Sequence, residues 1–432
     1  MNETSIKIGI LGLGTVGSGV VEVLNKNGPD IQKKVGRKIE IKGVLVRDTA
    51  KKRKTEVPQH LLTANPDDIL EDPEIDIVVE VMGTIDLARQ YLLKAFENKK
   101  SVVTANKDLI ALHGKELFEA AEKADRDLFF EASVAGGIPI IRPLKECLCG
   151  NRISRIMGII NGTTNYILTK MSRDKMEFND ALAEAQRLGY AESDPASDIE
   201  GFDAARKIAI LASIAFNSRV TYKDVYVEGI TKINSYDIRY AEELGYAVKL
   251  LGIAKEADGE LDVRVHPVFI PTSHALAAVS DEFNAIFVEG DAVGEAMFYG
   301  KGAGKLPTAS AVVGDIISAA RNICFGMPGR VGCTCFNSKK IKPIQEIESK
   351  YYLRLLVKDR PGVLASIAGV FGNSNVSIAS VIQKRIEKDM AEIVLVTHTV
   401  KEANLRDALK IIEGLSIVGN IGNVIRVEGS DT

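Results

Sequence analysis

The sequence predicts an α/β protein built from three regions: a doubly wound parallel sheet, then a mixed α+β region, then a small βαββαβ unit. Three observations support this fold class. Apolar strands alternate with helical patterns over the first 139 residues, and longer helices separated by strands follow to about residue 304. Residues 351–432 carry four short strand patterns and two helical ones. A chain of 432 residues is long enough for about three domains.

The composition excludes several functional classes. No apolar run is long enough to cross a bilayer, and the chain enters its first strand without the segments of a signal peptide. We therefore expect a cytoplasmic protein with no membrane partner. The net charge of −3 gives no evidence of a positively charged surface that would bind nucleic acid. Small anionic or zwitterionic molecules remain possible ligands. The 5 cysteines lack metal-site spacing, and their odd number argues against a disulfide framework.

The first element is an apolar strand from Ile6 to Leu11, which runs into the sequence GLGTVG and then into a helical pattern. Gly12 permits the tight turn, Gly14 lets the backbone approach a pyrophosphate, and Gly17 lets the helix pack on the strand. The N-terminus of the helix supplies an anion site. Strand, turn and helix together predict a dinucleotide site at Gly12, Leu13, Gly14, Thr15, Val16 and Gly17.

The second strand, residues 39–46, is followed by Arg47. A protein selective for NAD normally presents an acidic residue to the ribose hydroxyls at this position. A guanidinium suits the 2′-phosphate of NADP instead. Asp48 comes directly after Arg47, so NAD remains possible as the cofactor.

Two further strands, at residues 75–81 and 101–104, enclose a helix at 86–96 and continue the alternating order. The second of them ends in Thr104, Ala, Asn and Lys107. Open α/β sheets bind ligands at the carboxyl ends of their strands. Thr104 and Lys107 are therefore candidates for the ligand site, although Lys107 is also consistent with an ordinary surface lysine at a helix start.

A glycine-rich turn follows the next strand. The sequence FFEASVAGGIP at residues 129–139 contains Glu131. Such a turn can offer converging carbonyl groups to a cation. It can equally be a hinge between domains, and the spacing alone favours the hinge.

A second region begins near residue 140, with helices between strands such as 153–160 and 261–268. Asn161 and Asn165 flank the start of a helix, where such side chains either cap the helix or face a ligand. A second glycine turn, KGAGKLPTAS at residues 301–310, precedes another helix. Its backbone can approach a cofactor from outside the first region.

One stretch of this region, AESDPASDIEGFDAARK, carries charges on a helix that continues as an apolar one. Ser197 and Glu200 match a capping box, which predicts a helix start near Asp198. Asp203 and Lys207 lie one turn apart on one face, which is often no more than an exposed salt bridge. The residues after Lys207 are apolar all round, so these charges need partners or a function. A lysine in such surroundings can transfer protons.

Six motifs together resemble the homoserine dehydrogenase family over residues 1 to about 335. They are GLGTVG (12–17), TANK (104–107), EASVAGGIPI (131–140), NGTTNYIL (161–168), AESDPASDIEGFDAARK (191–207) and KGAGKLPTASAV (301–312). The resemblance implies oxidation of homoserine to aspartate 4-semialdehyde with NAD(P), run in cells mainly as the reduction that leads to threonine, methionine and isoleucine. It implies a Rossmann domain at 1–139, joined by a returning segment at about 305–335. It also implies a catalytic and dimerisation domain at 140–304, in a homodimer or homotetramer.

The resemblance also implies roles for single residues. Lys207 would carry out acid/base chemistry at the reacting oxygen, and Asp203 would hold either this lysine or the substrate. Glu192 would receive the ammonium group of homoserine. Lys107 would lie beside the nicotinamide and the substrate. Ser197 stays outside the predicted site because some members carry aspartate there.

Cofactor and cation contacts follow from the same resemblance. Gly302 would touch the cofactor, although Lys305 departs from the small residue that many members have in this loop. The resemblance further implies a sodium ion, held by Glu131 and by the backbone carbonyls of Val134, Gly136 and Ile138.

The tail follows a charged, weakly patterned linker at residues 336–350. Residues 351–432 predict a βαββαβ unit in which Asp359 caps the first helix and Pro361 lies in its first turn. This order is ferredoxin-like, and the tail resembles an ACT domain. The resemblance implies an amino-acid sensor that works in domain pairs, with threonine as the expected effector. A dimerisation module without a ligand is the alternative.

Two other functions fit parts of the sequence. A non-catalytic sensor of NAD(P) and an amino acid would explain the glycine turn and the tail, but it leaves the charged helix unexplained. A semialdehyde dehydrogenase that forms a thioester would need an activated cysteine with a base. Cys147 and Cys149 lie in no such motif.

Overall fold

The structure is a computed structural model that describes residues 5–53, 55–387 and 389–429, so the outermost residues of the first and last predicted domains lie outside it. Its strands are β1 (Ile6–Leu11), β2 (Ile39–Leu45), β3 (Leu62–Thr63), β4 (Ile77–Glu80), β5 (Ser101–Thr104), β6 (Leu128–Phe129), β7 (Ile153–Ile159), β8 (Tyr226–Val227), β9 (Tyr246–Ala257), β10 (Glu260–Pro271), β11 (Phe283–Gly290), β12 (Gly294–Lys301), β13 (Lys340–Ile341), β14 (Glu348–Lys358), β15 (Ile378–Glu387), β16 (Met390–Thr397), β17 (Val400–Lys401) and β18 (Val418–Val427). Its α-helices are α1 (Thr15–Val35), α2 (Asp67–Leu70), α3 (Asp86–Glu97), α4 (Lys107–Ala124), α5 (Gly162–Arg173), α6 (Phe178–Arg187), α7 (Ala196–Ile199), α8 (Phe202–Ala215), α9 (Ser235–Glu243), α10 (Lys305–Cys324), α11 (Val363–Asn373) and α12 (Glu402–Glu413).

The chain divides into two compact units. The first consists of Met1–Ile153, Ala209–Lys223 and Asn284–Ser338, and the second of Ser154–Ile208, Asp224–Phe283 and Lys339–Thr432.

The first unit contains a parallel sheet with the strand order β3-β2-β1-β4-β5-β6. β1 lies in the middle and pairs in parallel with both β2 and β4. The order of the strands therefore reverses at β1, which makes the carboxyl end of this strand a switch point for ligand binding. This is the doubly wound parallel sheet that the sequence predicts.

Helix α10 contributes to the core of the first unit. Its Ala309 and Ile316 are buried in the same apolar cluster as Ile8 of β1. Gly19 of α1 permits the contact, because a Cβ there would lie 2.6 Å from the carbonyl oxygen of Lys305. The chain after residue 304 thus packs on the nucleotide-binding sheet.

The second unit contains a mixed sheet in which β7, β9, β10, β18, β14, β16 and β15 follow one another. β9 and β10 form a long antiparallel pair, from Tyr246 opposite Pro271 to Ala257 opposite Glu260. Helix α5 packs on β9. The result is the mixed α+β region predicted for the middle of the chain.

The tail forms its own four strands within this sheet. They follow the chain order β14, α11, β15, β16, α12 and β18, and their spatial order β18-β14-β16-β15 is antiparallel and ferredoxin-like. The predicted βαββαβ fold is confirmed. The predicted cap at Asp359 is wrong, because α11 begins after Gly362, whose φ of 88° is left-handed, and no side chain caps the helix.

Strand β18 connects the tail to the middle region. It pairs in parallel with β10 at Val268 and Phe269. The buried guanidinium of Arg264 on β10 also forms a 2.5 Å ion pair with Glu428. Residues Lys340–Ile341, inside the predicted linker, form a further parallel pair with β10. The tail and the middle region therefore share one sheet.

The predicted capping box at the start of the charged helix is wrong. Two helices, α7 and α8, are separated by Gly201, whose φ of 84° lies in the left-handed region and ends the first helix. Pro195 precedes α7 without a side-chain cap, and the Ser197 hydroxyl accepts a 3.2 Å hydrogen bond from Arg206. Asp203 consequently lies in the first turn of α8.

Candidate active site

The glycine turn between β1 and α1 has the geometry of an anion site. Gly12 has a φ of 105°, and a Cβ on Gly17 would lie 2.2 Å from the carbonyl oxygen of Gly12. Apart from its chain neighbours and its own helix, no described residue lies within 4 Å of the position that a Cβ on Gly14 would take. Gly14 is the N-cap of α1 and makes no side-chain cap, so the amides of the first helical turn are the kind of group that binds a phosphate. The other residues of the turn are half-buried or exposed: Leu13, Thr15 and Val16.

Arg47 is exposed two residues after the end of β2. Among the described residues it makes no ion pair. Asp48 is used within its own turn, where its carboxylate accepts a 2.8 Å hydrogen bond from the backbone N–H of Ala50. The guanidinium of Arg47 is therefore the group at this strand end that remains available for a ligand.

The carboxyl ends of β4 and β5 are joined by a buried network around Glu80. This carboxylate accepts hydrogen bonds from the Thr104 hydroxyl at 2.6 Å and from the backbone N–H of Met82 at 2.8 Å. Burial raises the pKa of Glu80. Asn106 caps α4 through a 3.1 Å bond from the backbone N–H of Leu109, and this leaves Lys107 half-buried as the first helical residue.

The sequence patterns did not identify Glu80 as a site residue. The only signal was an acidic residue at the end of the apolar run IDIVVE. Its bond to Thr104 fixes the end of β5, which carries one predicted site residue and lies three residues before the other, Lys107.

Glu131 is buried, and its carboxylate accepts three backbone hydrogen bonds. Oε1 accepts from Ile140 at 2.6 Å and Ile141 at 2.7 Å, and Oε2 accepts from Arg142 at 2.8 Å. A carboxylate has about four acceptor positions, so roughly one is left. Asp315 accepts bonds from the Glu131 backbone N–H at 2.8 Å and from the Arg142 guanidinium at 2.6 Å. Burial, together with the Glu131 carboxylate, raises the pKa of Asp315 to about 7.

The turn after Glu131 packs against Gly302. A Cβ on Gly136, whose φ is 48°, would lie 2.4 Å from the carbonyl oxygen of Gly302. The Gly137 N–H also donates a 3.1 Å bond to the Lys301 carbonyl. In the parts of the chain that the structure describes, no group of three or more His, Cys, Asp or Glu side chains could hold a metal ion. A cation here would depend on carbonyl oxygens, such as those of the predicted ligands Val134, Gly136 and Ile138.

In the second unit, Lys207 and Asp203 form the predicted pair on α8. Lys207 Nζ lies 2.7 Å from Asp203 Oδ2 and donates to the backbone carbonyl of Ile160 at 2.8 Å. The side chains of Lys207 and Asp203 are 13% and 9% exposed, so the alternative prediction of an exposed surface salt bridge is wrong. The next residues, Ile208 and Leu211, are fully buried.

Asn161 connects this pair to a second carboxylate. Its amide donates to Asp203 at 2.9 Å and to Asp198 at 2.7 Å, while its oxygen caps α5. Thr163 also donates to Asp198, at 3.1 Å. Burial and the nearby Asp203 carboxylate raise the pKa of Asp198. The sequence analysis left Asn161 between a cap and a ligand contact, and the structure shows a cap that also fixes Asp203.

Glu192 is exposed in the loop between α6 and α7. Its backbone carbonyl accepts a 3.1 Å bond from Gln186. Within the described residues no contact joins its carboxylate to Asp203 or Lys207. The side chain remains available to a ligand that spans the distance.

Three models of known protein families match the chain. Residues 139–317 match "Homoserine dehydrogenase", residues 12–131 match "Homoserine dehydrogenase, NAD binding domain", and residues 351–416 match "ACT domain". Homoserine dehydrogenase of Bacillus subtilis is 45% identical over 428 residues, which cover 99% of this chain and 99% of that one. The chain belongs to the homoserine dehydrogenase family.

Solved structures agree with this assignment. The homoserine dehydrogenase of Thiobacillus denitrificans superimposes with a TM-score of 0.93 at 45% identity, covering 98% of both chains. A hyperthermophilic archaeal homoserine dehydrogenase in complex with NADPH superimposes with a TM-score of 0.62 at 29% identity, covering 73% of this chain and 97% of that one. The predicted fold class and function are confirmed, and the protein is an NAD(P)-dependent oxidoreductase with a C-terminal ACT domain.

The alternatives lose their support. A non-catalytic sensor does not account for full-length similarity to enzymes. The thioester-forming semialdehyde dehydrogenase has no counterpart in the matched family models. None of the helices in the described ranges has the length and apolarity that crossing a membrane requires.

Proposed function

We propose that this homoserine dehydrogenase interconverts L-homoserine and L-aspartate 4-semialdehyde, mainly as the reduction that leads to threonine, methionine and isoleucine, with Lys207 as the proton-transfer group. The geometry of Lys207 Nζ carries this proposal. An ammonium group has three donors, and Asp203 and the Ile160 carbonyl occupy two of them, at 2.7 and 2.8 Å. One donor is left for the oxygen of the substrate.

Lys207 acts at that oxygen in both directions. In the reduction the ammonium donates a proton as the aldehyde oxygen gains negative charge, and in the oxidation the same nitrogen, as a neutral amine, receives the hydroxyl proton. Asp203 orients the ammonium, and Asn161 holds Asp203 through its 2.9 Å hydrogen bond. When bound, the nicotinamide cofactor supplies or accepts the hydride.

Glu192 and Lys107 bind the rest of the substrate. The exposed carboxylate of Glu192 receives the ammonium group, because an unpaired anion in a loop near α7 offers a charge-assisted hydrogen bond. Lys107, at the carboxyl end of β5, contacts both the substrate and the nicotinamide side of the cofactor.

The cofactor is NADP, with NAD as a weaker ligand. Its pyrophosphate binds at the helix start beyond Gly14, and Arg47 meets the 2′-phosphate. Thr104 and Gly302 line the same site. The NADPH complex of the archaeal relative supports this preference.

A sodium ion binds at the turn after Glu131. Three amides already bind the Glu131 carboxylate, so it offers about one further lone pair. Most ligands are therefore the carbonyls of Val134, Gly136 and Ile138, which suit a hard monovalent cation. The ion would stiffen the turn against which Gly302 packs.

The tail senses threonine in a homodimer or homotetramer located in the cytoplasm. Helix α11 begins at Val363, so the amides of its first turn have no partner inside the helix. They border an open cavity of about 720 Å³ lined by residues 359–365, Ala368, Gln383 and Ile393. A carboxylate fits at this helix start. Asn375, from a paired tail, would supply a side-chain amide.

The test is a steady-state assay of L-homoserine with NADP⁺ and with NAD⁺, in parallel with 4-hydroxybutanoate, which lacks the ammonium group. Glu192→Gln should raise KM for homoserine by about tenfold or more and leave KM for 4-hydroxybutanoate unchanged. Glu177→Gln, which changes another exposed glutamate of the same unit, is the matched control. Faster turnover of aspartate 4-semialdehyde with phosphate than of homoserine would overturn the proposed reaction.

A further inference from the structure

A second cavity, of about 560 Å³, lies inside the second unit and shares no lining residue with the cavity at the start of α11. On one wall are α12 and β18, with Leu409 and Ile421. On the other wall are Glu200 and Phe202, which flank Gly201 at the junction of α7 and α8. The catalytic chemistry described above does not use this space.

The cavity adjoins the start of α8, the helix that carries Asp203 and Lys207. Phe202 is the first residue of α8 and is 38% exposed, one residue before Asp203 and five before Lys207. Ile230 donates a 2.8 Å backbone bond to Ile199 just before the junction. A ligand that touches Phe202 therefore contacts the first residue of the helix that carries the proposed acid/base pair, and it can shift the start of that helix.

The charges around the cavity balance. Its acidic lining residues are Glu200, Glu228 and Glu402, and its basic ones are Lys232, Arg406 and Arg426. Arg426 bridges Glu228 at 3.0 Å and Glu402 at 2.8 Å, and Arg406 binds Glu402 at 2.8 Å. These four side chains satisfy one another, so they do not call for a net-charged ligand.

Two lining charges remain. Glu200 and Lys232 form no hydrogen bond or ion pair through their side chains with any described residue. One acid and one base beside an apolar wall match a zwitterion that carries an apolar side chain. A simple anion such as phosphate could pair with Lys232 but would leave the Glu200 carboxylate without a partner.

We propose that this cavity binds an α-amino acid with an apolar side chain, whose ammonium pairs with Glu200 and whose carboxylate pairs with Lys232. The side chain packs on Leu409 and Ile421. The site is separate from the α11 start at which threonine is proposed to bind. By acting on Phe202 the ligand changes the affinity for homoserine, and homoserine must change the ligand's affinity by the same factor.

Isothermal titration of the full-length protein tests the proposal. The probes are L-leucine, L-isoleucine and L-methionine, each chosen for its charge pattern and apolar side chain. Two analogues of leucine isolate the charges: 3-methylbutylamine lacks the carboxylate, and 4-methylpentanoate lacks the ammonium. At least one amino acid should bind in the millimolar range or tighter. For leucine, each analogue should bind at least about tenfold more weakly.

Variants locate the site. Leu409→Trp should abolish binding by occupying the apolar wall on which the ligand side chain packs, whereas Ile411→Trp on the same helix, at a 53% exposed position outside the cavity, should not change it. Lys232→Met, at an exposed position, should weaken leucine binding by about tenfold even if the tryptophan variant does not fold. Leu364→Asp, at the start of α11, should leave it unchanged.

Three outcomes overturn the proposal. The first is no binding of any of the three amino acids. The second is binding that survives Leu409→Trp. The third is a change of oligomeric state in Leu409→Trp by light scattering, which would mean that a second copy of the chain covers the cavity.

Discussion

At the scale of single residues, Lys207 is the most informative position. It is 13% exposed and bound to Asp203 and to the Ile160 carbonyl, so its third donor is the group proposed for the substrate oxygen. Lys207→Ala should lower kcat by about 10² or more while the Kd for NADPH changes little.

Lys175→Ala is the matched control, because that lysine is in the same unit but its side chain is 64% exposed. It should keep kcat within about twofold of the native value. Near-normal turnover in Lys207→Ala would remove this residue from the proton transfer.

Arg47 is the residue proposed to distinguish NADP from NAD. Its charge-assisted contact with a 2′-phosphate is worth roughly 1.5–3 kcal/mol, so Arg47→Ala should raise KM for NADPH by about tenfold or more and hardly alter KM for NADH. Lys51→Ala, another exposed cation of the same loop, controls for general loss of positive charge. Equal effects of Arg47→Ala on both cofactors would show that Arg47 does not bind the phosphate.

The sequence predicts the two residues of the proposed catalytic pair but not all that surrounds them. Asp203 and Lys207 are detectable because one helical turn separates them and the rest of the helix is apolar. The Ile160 carbonyl is not detectable, because nothing in a local pattern shows that the end of β7 lies beside α8. The same holds for the bond from Asn161 to Asp203, which joins side chains 42 positions apart.

At the scale of elements, Gly201 sets the start of α8. A Cβ there would combine a left-handed φ of 84° with contacts of 3.2 Å to both Val227 and Val265. Gly201→Ala should therefore destabilise the protein by roughly 1–2 kcal/mol or more from the backbone alone, and it should also lower kcat by shifting Asp203 and Lys207.

Gly189→Ala separates the two effects. Gly189 also has a left-handed φ, 79°, but nothing lies within 4 Å of its Cβ position. Gly189→Ala should be destabilised by a similar amount through its backbone, as measured by thermal melting, but it should retain kcat. A normal kcat in Gly201→Ala would mean that the start of α8 does not control the catalytic pair.

A second element-scale prediction concerns the link between the turn at Glu131 and helix α10. Asp315 has a pKa of about 7 in the folded chain against 3.8 as its ordinary value, so between these pH values the folded state binds the extra proton. Its stabilising contribution is complete below about pH 4 and is lost as the pH rises to about 7, by about 4 kcal/mol at most.

Comparing the native protein with Asp315→Asn isolates this pH-dependent contribution to stability. The difference in melting temperature, native minus variant, should fall between pH 5 and pH 8. Asp30→Asn, at a 73% exposed aspartate, should give a difference that does not depend on pH. A native-minus-variant difference that rises with pH would contradict the raised pKa.

Regular elements were the most predictable part of the fold. β5 matches its predicted bounds of 101–104, and α3 differs by one residue from the predicted 86–96, because alternation and helical periodicity are local signals. The break at Gly201 is also detectable in the sequence. The capping-box pattern at Ser197 and Glu200 favours a helix that continues through this stretch, whereas Gly201 directly after it favours a break. The left-handed backbone at Gly201 produces the break.

At the scale of the whole molecule, the joining of the tail to the middle region could not be read from local patterns. The pairing of β18 with β10 joins segments about 160 residues apart. Deleting the tail would leave the buried Arg264 without Glu428, and the loss of a partner from a buried ion pair is strongly destabilising. Control by the tail is therefore better tested in the full chain, with substitutions, than by truncation.

The last prediction concerns that control. Threonine should inhibit the full-length enzyme at millimolar concentration or below, because its carboxylate can bind the amides in the first turn of α11 in one arrangement of paired tails better than in another. Leu364→Asp puts a competing carboxylate on the exposed first turn of this helix, where an acidic residue does not weaken the helix itself. It should raise the threonine concentration for half-inhibition by about tenfold or more and leave kcat unchanged. Leu364→Asn, equal in size but uncharged, should stay within about threefold of the native value. If calorimetry detects no binding of threonine or of any other aspartate-derived amino acid at this helix start, the tail acts there as a dimerisation module, since a ligand without differential affinity shifts no equilibrium.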